Sequence, residues 1–528
     1  MSKKRTKRTA KPIESPLVKS RLSEKQIEYL FLLIILLTSL FLFLFNLGNH
    51  YLWQDEAQTA LISQTILDHG VPKGTDGRNF FSQELQAEYG ENYIWKWHTW
   101  LPFYLLSGFF ALLPDSTFVA RLPFALFGIG SIFLTYAFCI KLWQNKRIAM
   151  IAAILLLFCI PFVILSRQCR YYSLAAFFSL WGLYAYLGIL NQNKRAVIYF
   201  VIAATLLFHT HYLYCATLLA TAAFHCLLFD RSRLKSILLG SIMVALINGP
   251  WIIWLSGMKY GEQYEGFLNF AKMWNFASRY FIQIGSHIFQ PLLLILLPAA
   301  ILFGRLKNRD FIKNILQDRM YWSRLCLLLL FIFANLMALI IISPAPFFRY
   351  LTPLIPIIII LASLLAYAAK HLHIIFVPVI ILLLIIFSPI NDYWYELTHD
   401  YDGPIEGIVK YLNEHADPGD TVAITYGDMP LKFYTDLRII GGLTGEDLSV
   451  EAPQARWVIL RRYVVSGKDN AVGRHLVENL PLQDTQQYQQ IILREYPDIR
   501  FENREDPAEH NFRTVNSREK VIIFERIN

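Results

Sequence analysis

Long apolar runs separated by short polar loops fill the chain to about residue 390, and beyond that point shorter runs alternate with polar stretches. Runs of spanning length lie near 27–47, 118–140, 148–165, 171–190, 196–208, 211–229, 237–257, 285–304, 322–343, 347–369 and 372–390, which predicts about eleven transmembrane helices, some of them short. One further apolar stretch, 98–113, breaks the regularity. Read as a re-entrant or amphipathic helix on the outer surface, it leaves the basic loops on one side; counted as a crossing, it flips every later loop. From Asn391 the turn signals Asp400-Tyr401-Asp402-Gly403-Pro404 and Asp417-Pro418-Gly419-Asp420 separate helical stretches from strand-like runs at 421–425, 457–460 and 521–524. These predict a small α/β layer.

Charge orients the bundle. Lys141, Lys146 and Arg147, then Lys194 and Arg195, then Arg231, Arg233 and Lys235, then Arg305, Lys307, Arg309 and Lys313 fall in alternate loops. The positive-inside rule makes those loops cytoplasmic. Residues 48–97 carry seven acidic and three basic side chains, the opposite balance, and so face outward. The organisation expected is a basic cytoplasmic tail over 1–26, a transmembrane domain over 27–390 whose outer loop 48–117 carries the active site, and a soluble extracytoplasmic domain over 391–528. No catalytic motif stands out in the last, which points to a structural or acceptor-guiding role.

Composition agrees with a polytopic membrane protein: 55% of the 528 residues are hydrophobic and 17% charged. The net charge of +9 does not argue for nucleic acid, because nine Lys or Arg against two Glu within residues 1–25 supply most of it. The six cysteines lie in or beside apolar runs, which argues against a disulfide framework and a cysteine metal site. Asn-x-Ser/Thr sequons are absent, which favours a prokaryotic plasma membrane over an endoplasmic reticulum.

Polar clusters with chemical potential gather at the outer ends of the predicted crossings. Asp55 and Glu56 follow the first apolar run, where a carboxylate near hydrocarbon calls for a wet cavity, a metal or a substrate; solvated loop charges are the plain alternative. Arg170-Tyr171 and Arg349-Tyr350 suit an anionic headgroup, since guanidinium forms bidentate bonds to phosphate, although both residue types also serve as ordinary interfacial anchors. His98, and the pair His209 and His211 one residue apart, offer metal ligation or a hydrogen bond to phosphate, or are simply satisfied interfacial histidines. Of the loop acids Asp76, Glu84, Glu88 and Glu91, Glu84 is the metal-ligand candidate and the rest read as solvated.

The outer Asp-Glu pair, Ala120-Arg121-Leu122-Pro123-Phe124-Ala125-Leu126-Phe127-Gly128, Ser166-Arg167 through Tyr171-Tyr172-Ser173-Leu174, and Arg349-Tyr350-Leu351-Thr352-Pro353-Leu354-Ile355-Pro356 together resemble the C-type (GT-C) membrane glycosyltransferases. The subgroup is that of the protein O-mannosyltransferases and lipid A aminoarabinose transferases. The resemblance covers about residues 27–390 and rests on the order and spacing of several weak motifs. It implies a GT-C-like bundle with the small C-terminal domain, and transfer of a sugar from a polyprenyl-phosphate donor to a lipid, glycan or protein acceptor. Asp55 takes the place of the general base, with Glu56 beside it shaping the site or a metal. Arg349 matches an arginine near the donor phosphate, and Arg170-Tyr171 is a similar outer pair. His98 stands where relatives carry a metal-associated motif before a proline pair; here only Pro102 is present. A divalent metal held by Glu84 and His98 is one expectation, and no organic cofactor is implied. One base suffices for inverting displacement of an ionised phosphate. A retaining route would need a second nearby carboxylate, and adjacent helix positions point about 100° apart. The competing function is a carrier or flippase for the same lipid-linked sugar.

Overall fold

The computed structural model describes residues 23–255, 269–289, 318–371, 373–442, 444, 451–461, 480–499 and 507–527. A capping box opens the first helix, α1 (Glu24–Leu44): Gln26 N–H donates to Ser23 Oγ and Ser23 N–H returns to the Gln26 side chain. After it come α2 (Gln54–His69), α3 (Leu101–Phe110), α4 (Thr117–Trp143), α5 (Lys146–Leu157), α6 (Ile160–Ser166), α7 (Tyr172–Leu190), α8 (Ala196–Phe208), α9 (Tyr212–Phe229), α10 (Leu234–Leu255), α11 (Phe270–His287), α12 (Arg319–Ile342), α13 (Ile355–Ala368), α14 (Phe376–Ile386) and α15 (Ile390–Thr398). Among the described residues seven helical stretches are long and apolar enough to cross a membrane, or nine if two bent pairs, α5 with α6 (64°) and α14 with α15 (54°), each count as one. Of the remaining expected crossings, 196–208 forms the 13-residue α8, and 285–304 lies mostly outside the described residues.

The stretch 98–113 forms a short helix. Helix α3 has 10 residues and so rises about 15 Å, roughly half the thickness of a bilayer's hydrocarbon core. It is too short to span by itself, and its first turn is tied to the α8–α9 connection where Leu101 N–H donates to His209 O at 3.1 Å.

Helix α4 sits at the centre because it can be approached closely. A Cβ on Gly128 would lie 2.5 Å from Ser166 Cβ and 2.7 Å from Phe43 Cε1, so α1 and α6 meet α4 there only over glycine. Near its start α4 carries Arg121, 4% exposed, whose five N–H groups all find acceptors. Nε and Nη2 grip Glu56 at 2.8 and 2.6 Å, and the remaining donors go to the carbonyls of Leu47, His50 and Tyr51. Glu56, itself fully buried, also accepts from Cys169 N–H at 2.6 Å and from Trp53 N–H at 3.4 Å. One ion pair therefore joins α4, the 47–51 turn, the start of α2 and the corner after α6. Arg167 works alongside it, donating to the carbonyls of Leu42, Phe45 and Asn46 that end α1.

The C-terminal region is a five-stranded mixed sheet in the order β2-β1-β3-β5-β4, with β1 (Thr421–Ile424), β2 (Arg438–Gly441), β3 (Trp457–Ile459), β4 (Tyr488–Pro497) and β5 (Lys520–Arg526). β1 pairs parallel with β2 and β3, while β5 runs antiparallel to β3 and β4. The three strand-like runs read from the sequence correspond to β1, β3 and β5. Helices α16 (Pro404–His415) and α17 (Asp428–Tyr434) complete the layer, α17 being the crossover that a parallel β1–β2 pair needs.

This domain docks on the end of the bundle that carries α2. Asp428 of α17, fully buried, accepts from Gln54 Nε2 at 2.6 Å and from Lys432 Nζ at 2.8 Å, and Lys432 also donates to Phe80 O at 2.7 Å. Leu52 N–H donates to the Tyr434 hydroxyl, which also meets Thr117 Oγ1, and Tyr51 N–H donates to Glu406 Oε1. Asn79 anchors the outer loop to β2, accepting from Ile439 N–H at 2.8 Å.

Removing one half of a buried ion pair strands the other charge, at a cost of about 3–5 kcal/mol. Glu56→Ala should therefore lower the thermal midpoint in detergent sharply, and Glu56→Ala with Arg121→Met should recover part of the loss. Additive losses from the two substitutions would show that the pair does not act as a unit.

Candidate active site

A cavity of about 260 Å³ opens at the α2 end of the bundle, walled by the start of α2, the 83–99 loop, the α6–α7 corner, the α8–α9 turn and the 339–350 segment. Helix α2 aims its first turn into this space. Asp55, Gln58 and Thr59 share one face by the i, i+3, i+4 rule, and the helix N-terminus favours a carboxylate there. Asp55 and Gln58 line the cavity. Glu56, about 100° around the helix, does not: it points to Arg121, and both of its oxygens are taken. The expectation of a catalytic Glu56 is thus corrected to a residue that holds α2 in place.

Two arginines face Asp55 across the cavity. Arg170 Nη2 lies 3.4 Å from Asp55 Oδ2, and its Nη1 donates to Asp55 O and to Thr59 Oγ1 at 3.2 and 3.0 Å. Its Nε is buried without a hydrogen-bond partner. Burial acts to pull the Arg170 pKa down, but the Asp55 charge outweighs it and the group stays firmly cationic. Arg349, in the 3-10 turn Phe348–Leu354, lies 4.0 Å over the Phe347 ring and 6.0 Å from Trp53. Tyr171 and Tyr350 line the same wall, and Tyr214 fixes the turn by donating to Tyr350 O at 2.9 Å.

His98 and His211 also reach the cavity. Burial, reinforced by neighbouring cations, pushes the His98 pKa well down and that of His211 down to about 4, so both imidazoles are neutral at ordinary pH. His211 Nδ1 and the Thr99 hydroxyl are buried without hydrogen-bond partners and lie in the cavity wall. His209, although only two residues away, ends α8 and turns outward to pack edge-on against Trp251 at 5.4 Å, so it leaves the site. Glu84 and His98 both line the cavity, but among the described residues no group of three His, Cys, Asp or Glu side chains converges as a metal site.

Glu88 is the acid misread as a solvated loop charge. It is 1% exposed, lines the cavity, and accepts from Gln58 Nε2 at 2.9 Å, from Gln83 N–H at 2.7 Å, from Glu84 N–H at 3.1 Å and from Ser82 Oγ. Gln58 also donates to Phe81 O, so this one cluster fastens the outer loop to the face of α2 that bears Asp55. The helical spacing from Asp55 to Gln58 was available in the sequence. The burial of Glu88 was not, because the loop that covers it has no periodic pattern.

A family model described as dolichyl-phosphate-mannose-protein mannosyltransferase matches residues 97–254. Among solved structures, the chain is similar to ArnT from Cupriavidus metallidurans bound to undecaprenyl phosphate, at 14% identity over 95% of this chain and 98% of that one, with a TM-score of 0.50. The apo form of the same protein gives 15% identity, the same coverages and a TM-score of 0.52. The archaeal oligosaccharyltransferase AglB from Archaeoglobus fulgidus, in complex with an inhibitory peptide and a dolichol-phosphate, gives 13% identity over 83% and 69%, with a TM-score of 0.49. No curated protein matches the chain by sequence. At such identities the ArnT likeness is one of fold.

Glu88 supplies a pH test. Burial outweighs the four donors and raises its pKa from 4.5 to about 7. The folded state therefore holds this proton more tightly than the unfolded one, and its contribution is complete below about pH 4.5 and lost as pH rises through about 7. Relative to Glu88→Gln, the wild-type thermal midpoint should fall across that window and level off above it. A difference between the two proteins that stays constant with pH would refute the assignment.

Proposed function

We propose that this chain, which has the fold of the C-type membrane glycosyltransferases, transfers a sugar from a polyprenyl-phosphate donor to a lipid, glycan or protein acceptor, with Asp55 as general base. The observation that carries this reading is the joining of two unlike spaces. The cavity that holds Asp55, Arg170 and Arg349 shares Tyr212 with an apolar groove of about 480 Å³ along α8, α9 and α10, lined by Phe208, Leu219, Val244 and Ile252 among others. A lipid phosphate needs such a pair: cations for the headgroup and a greasy channel for the tail.

The chemistry follows from the charges. In the free protein Arg170 is paired with Asp55. A donor phosphate is the stronger ligand for a guanidinium fork, so its arrival draws Arg170 and Arg349 onto the phosphate and releases the Asp55 carboxylate for the acceptor hydroxyl. Asp55 then takes the hydroxyl proton as the acceptor oxygen attacks the anomeric carbon. The glycosidic bond to phosphate breaks with its electron pair leaving on the already ionised phosphate, which the arginines stabilise. A single displacement inverts the anomeric centre. Glu56, committed to Arg121, does not serve as a second, nucleophilic carboxylate.

The basic loops and the acidic balance of the outer loop support the reading that the active site faces the extracytoplasmic side of a plasma membrane, with the N-terminus cytoplasmic. The contact of Asp428 with Gln54 supports a bracing role for the sheet domain at the first turn of α2.

Purified protein in detergent should release sugar from one member of a panel of radiolabelled polyprenyl-phosphate sugars, assayed with and without chelator. Asp55→Asn should lower turnover about 10²–10⁴-fold while the protein still folds and inserts. Arg349→Gln should weaken donor binding. Retained turnover in Asp55→Asn would remove the base from the mechanism, and no donor consumption by the wild type would favour a carrier of the same lipid.

A further inference from the structure

The helices that build the active-site cavity build a second one at their other ends. Helix α9 contributes Tyr212 and Leu213 to the first and His225 and Phe229 to the second; α12 contributes Leu339 and Ile342 to the first and Arg319, Ser323 and Arg324 to the second. Thirteen residues separate Tyr212 from His225, a rise of about 20 Å, so the two cavities lie toward opposite faces of the bundle. The second encloses about 330 Å³.

Its polar lining is cationic. Lys141 from the end of α4, Arg319 and Arg324 reach it, and among the described residues none of the three makes an ion pair within 4 Å. Lys141 Nζ donates to Tyr184 O at 2.9 Å, Arg319 Nη2 to Phe229 O at 3.2 Å, and Arg324 Nη2 meets only the Met320 sulfur at 3.0 Å. The acid in the wall, Asp230, is turned to Ser232 and to Arg233 outside the cavity, while Asp318 caps α12 through Met320 and Tyr321 N–H. His225 closes the floor with both ring nitrogens engaged, by the Tyr186 hydroxyl at 2.7 Å and Ser323 O at 2.8 Å. Trp143 and Tyr321, with ring centroids 5.3 Å apart, mark an interfacial level beside it. Beside the pocket the exposed side chains of α9 and α12 include Leu228 (62%) and Trp322 (39%), and Met320 (57%) lies in the pocket wall.

We infer that this pocket binds the phosphate group of an anionic lipid, with Arg319, Arg324 and Lys141 around the headgroup and the acyl chains lying along α9 and α12. Basic clefts between transmembrane helices at the interface suit such headgroups, because guanidinium and ammonium donors left without carboxylates gain charge-assisted bonds on binding. The site is separate from the proposed transfer reaction and stands or falls without it.

Native mass spectrometry of the delipidated full-length protein tests this, with phosphatidylglycerol, phosphatidylcholine, or glycerol phosphate and inorganic phosphate as soluble probes. Phosphatidylglycerol should be retained in preference to phosphatidylcholine. Arg319→Gln with Arg324→Gln should weaken that retention at least tenfold, Lys141→Met should weaken it less, and Lys194→Gln, exposed at the same end but outside the pocket, should leave it unchanged. The thermal midpoint of each variant separates lost binding from lost folding. Soluble phosphates that bind with the same dependence on the arginines and without need of acyl chains would keep the anion site and assign it to a soluble ligand. Equal retention of the two lipids by the wild type, or unchanged retention in a folded double variant, would overturn the proposal.

Discussion

The buried pair Arg121–Glu56 is the constraint on which the active end of the molecule depends. A guanidinium at 4% exposure is tolerable only when its donors are all used, and here they are used on the 47–51 turn and on Glu56 of α2. Asp55 acquires its direction from this arrangement. With Glu56 locked toward α4, the helical turn leaves its neighbour no choice but to face the cavity. The same pair fixes Cys169, and through that corner it sets Arg170 opposite Asp55. Charge in the cavity is thus positioned by charge behind it.

What the sequence made legible follows from the range of the interactions concerned. The long apolar runs are local signals and yielded the bundle directly, as did β1, β3 and β5. Strand β2 is four residues long and begins with an exposed Arg438, and β4 is a polar edge strand with a register shift between Leu493 and Pro497, so neither carries a clean alternation. In the site, Asp55, Arg170, Tyr171, Arg349, Tyr350, His98, His211 and Glu84 do line one cavity, because polar residues at the ends of crossings have few other places to go. Glu56 was grouped with Asp55 on adjacency, and nothing local reveals a partner 65 positions away. His209 and His211 look equivalent in sequence but belong to the end of one helix and the start of the next. Glu88 was unreadable because its environment is made by the loop folding over it.

The bundle therefore has two ends of different chemistry joined by the same helices. At one end arginines face a carboxylate near an apolar groove; at the other, three cations have no ion-pair partner among the described residues, beside the Trp143–Tyr321 pair. Helices α9 and α12 bear on both, so their packing has to satisfy two polar sites separated by an apolar middle.

The contact between Gln54 and Asp428 spans 374 positions of the chain. Helix α2 is made early in synthesis, whereas the crossover helix that braces its first turn is made near the finish. A chain ending after the last crossing would keep the Glu56–Arg121 support of α2 but lack the Gln54–Asp428 contact. The first turn of α2 thus gains its Asp428 partner only once the helix after β1 has been made.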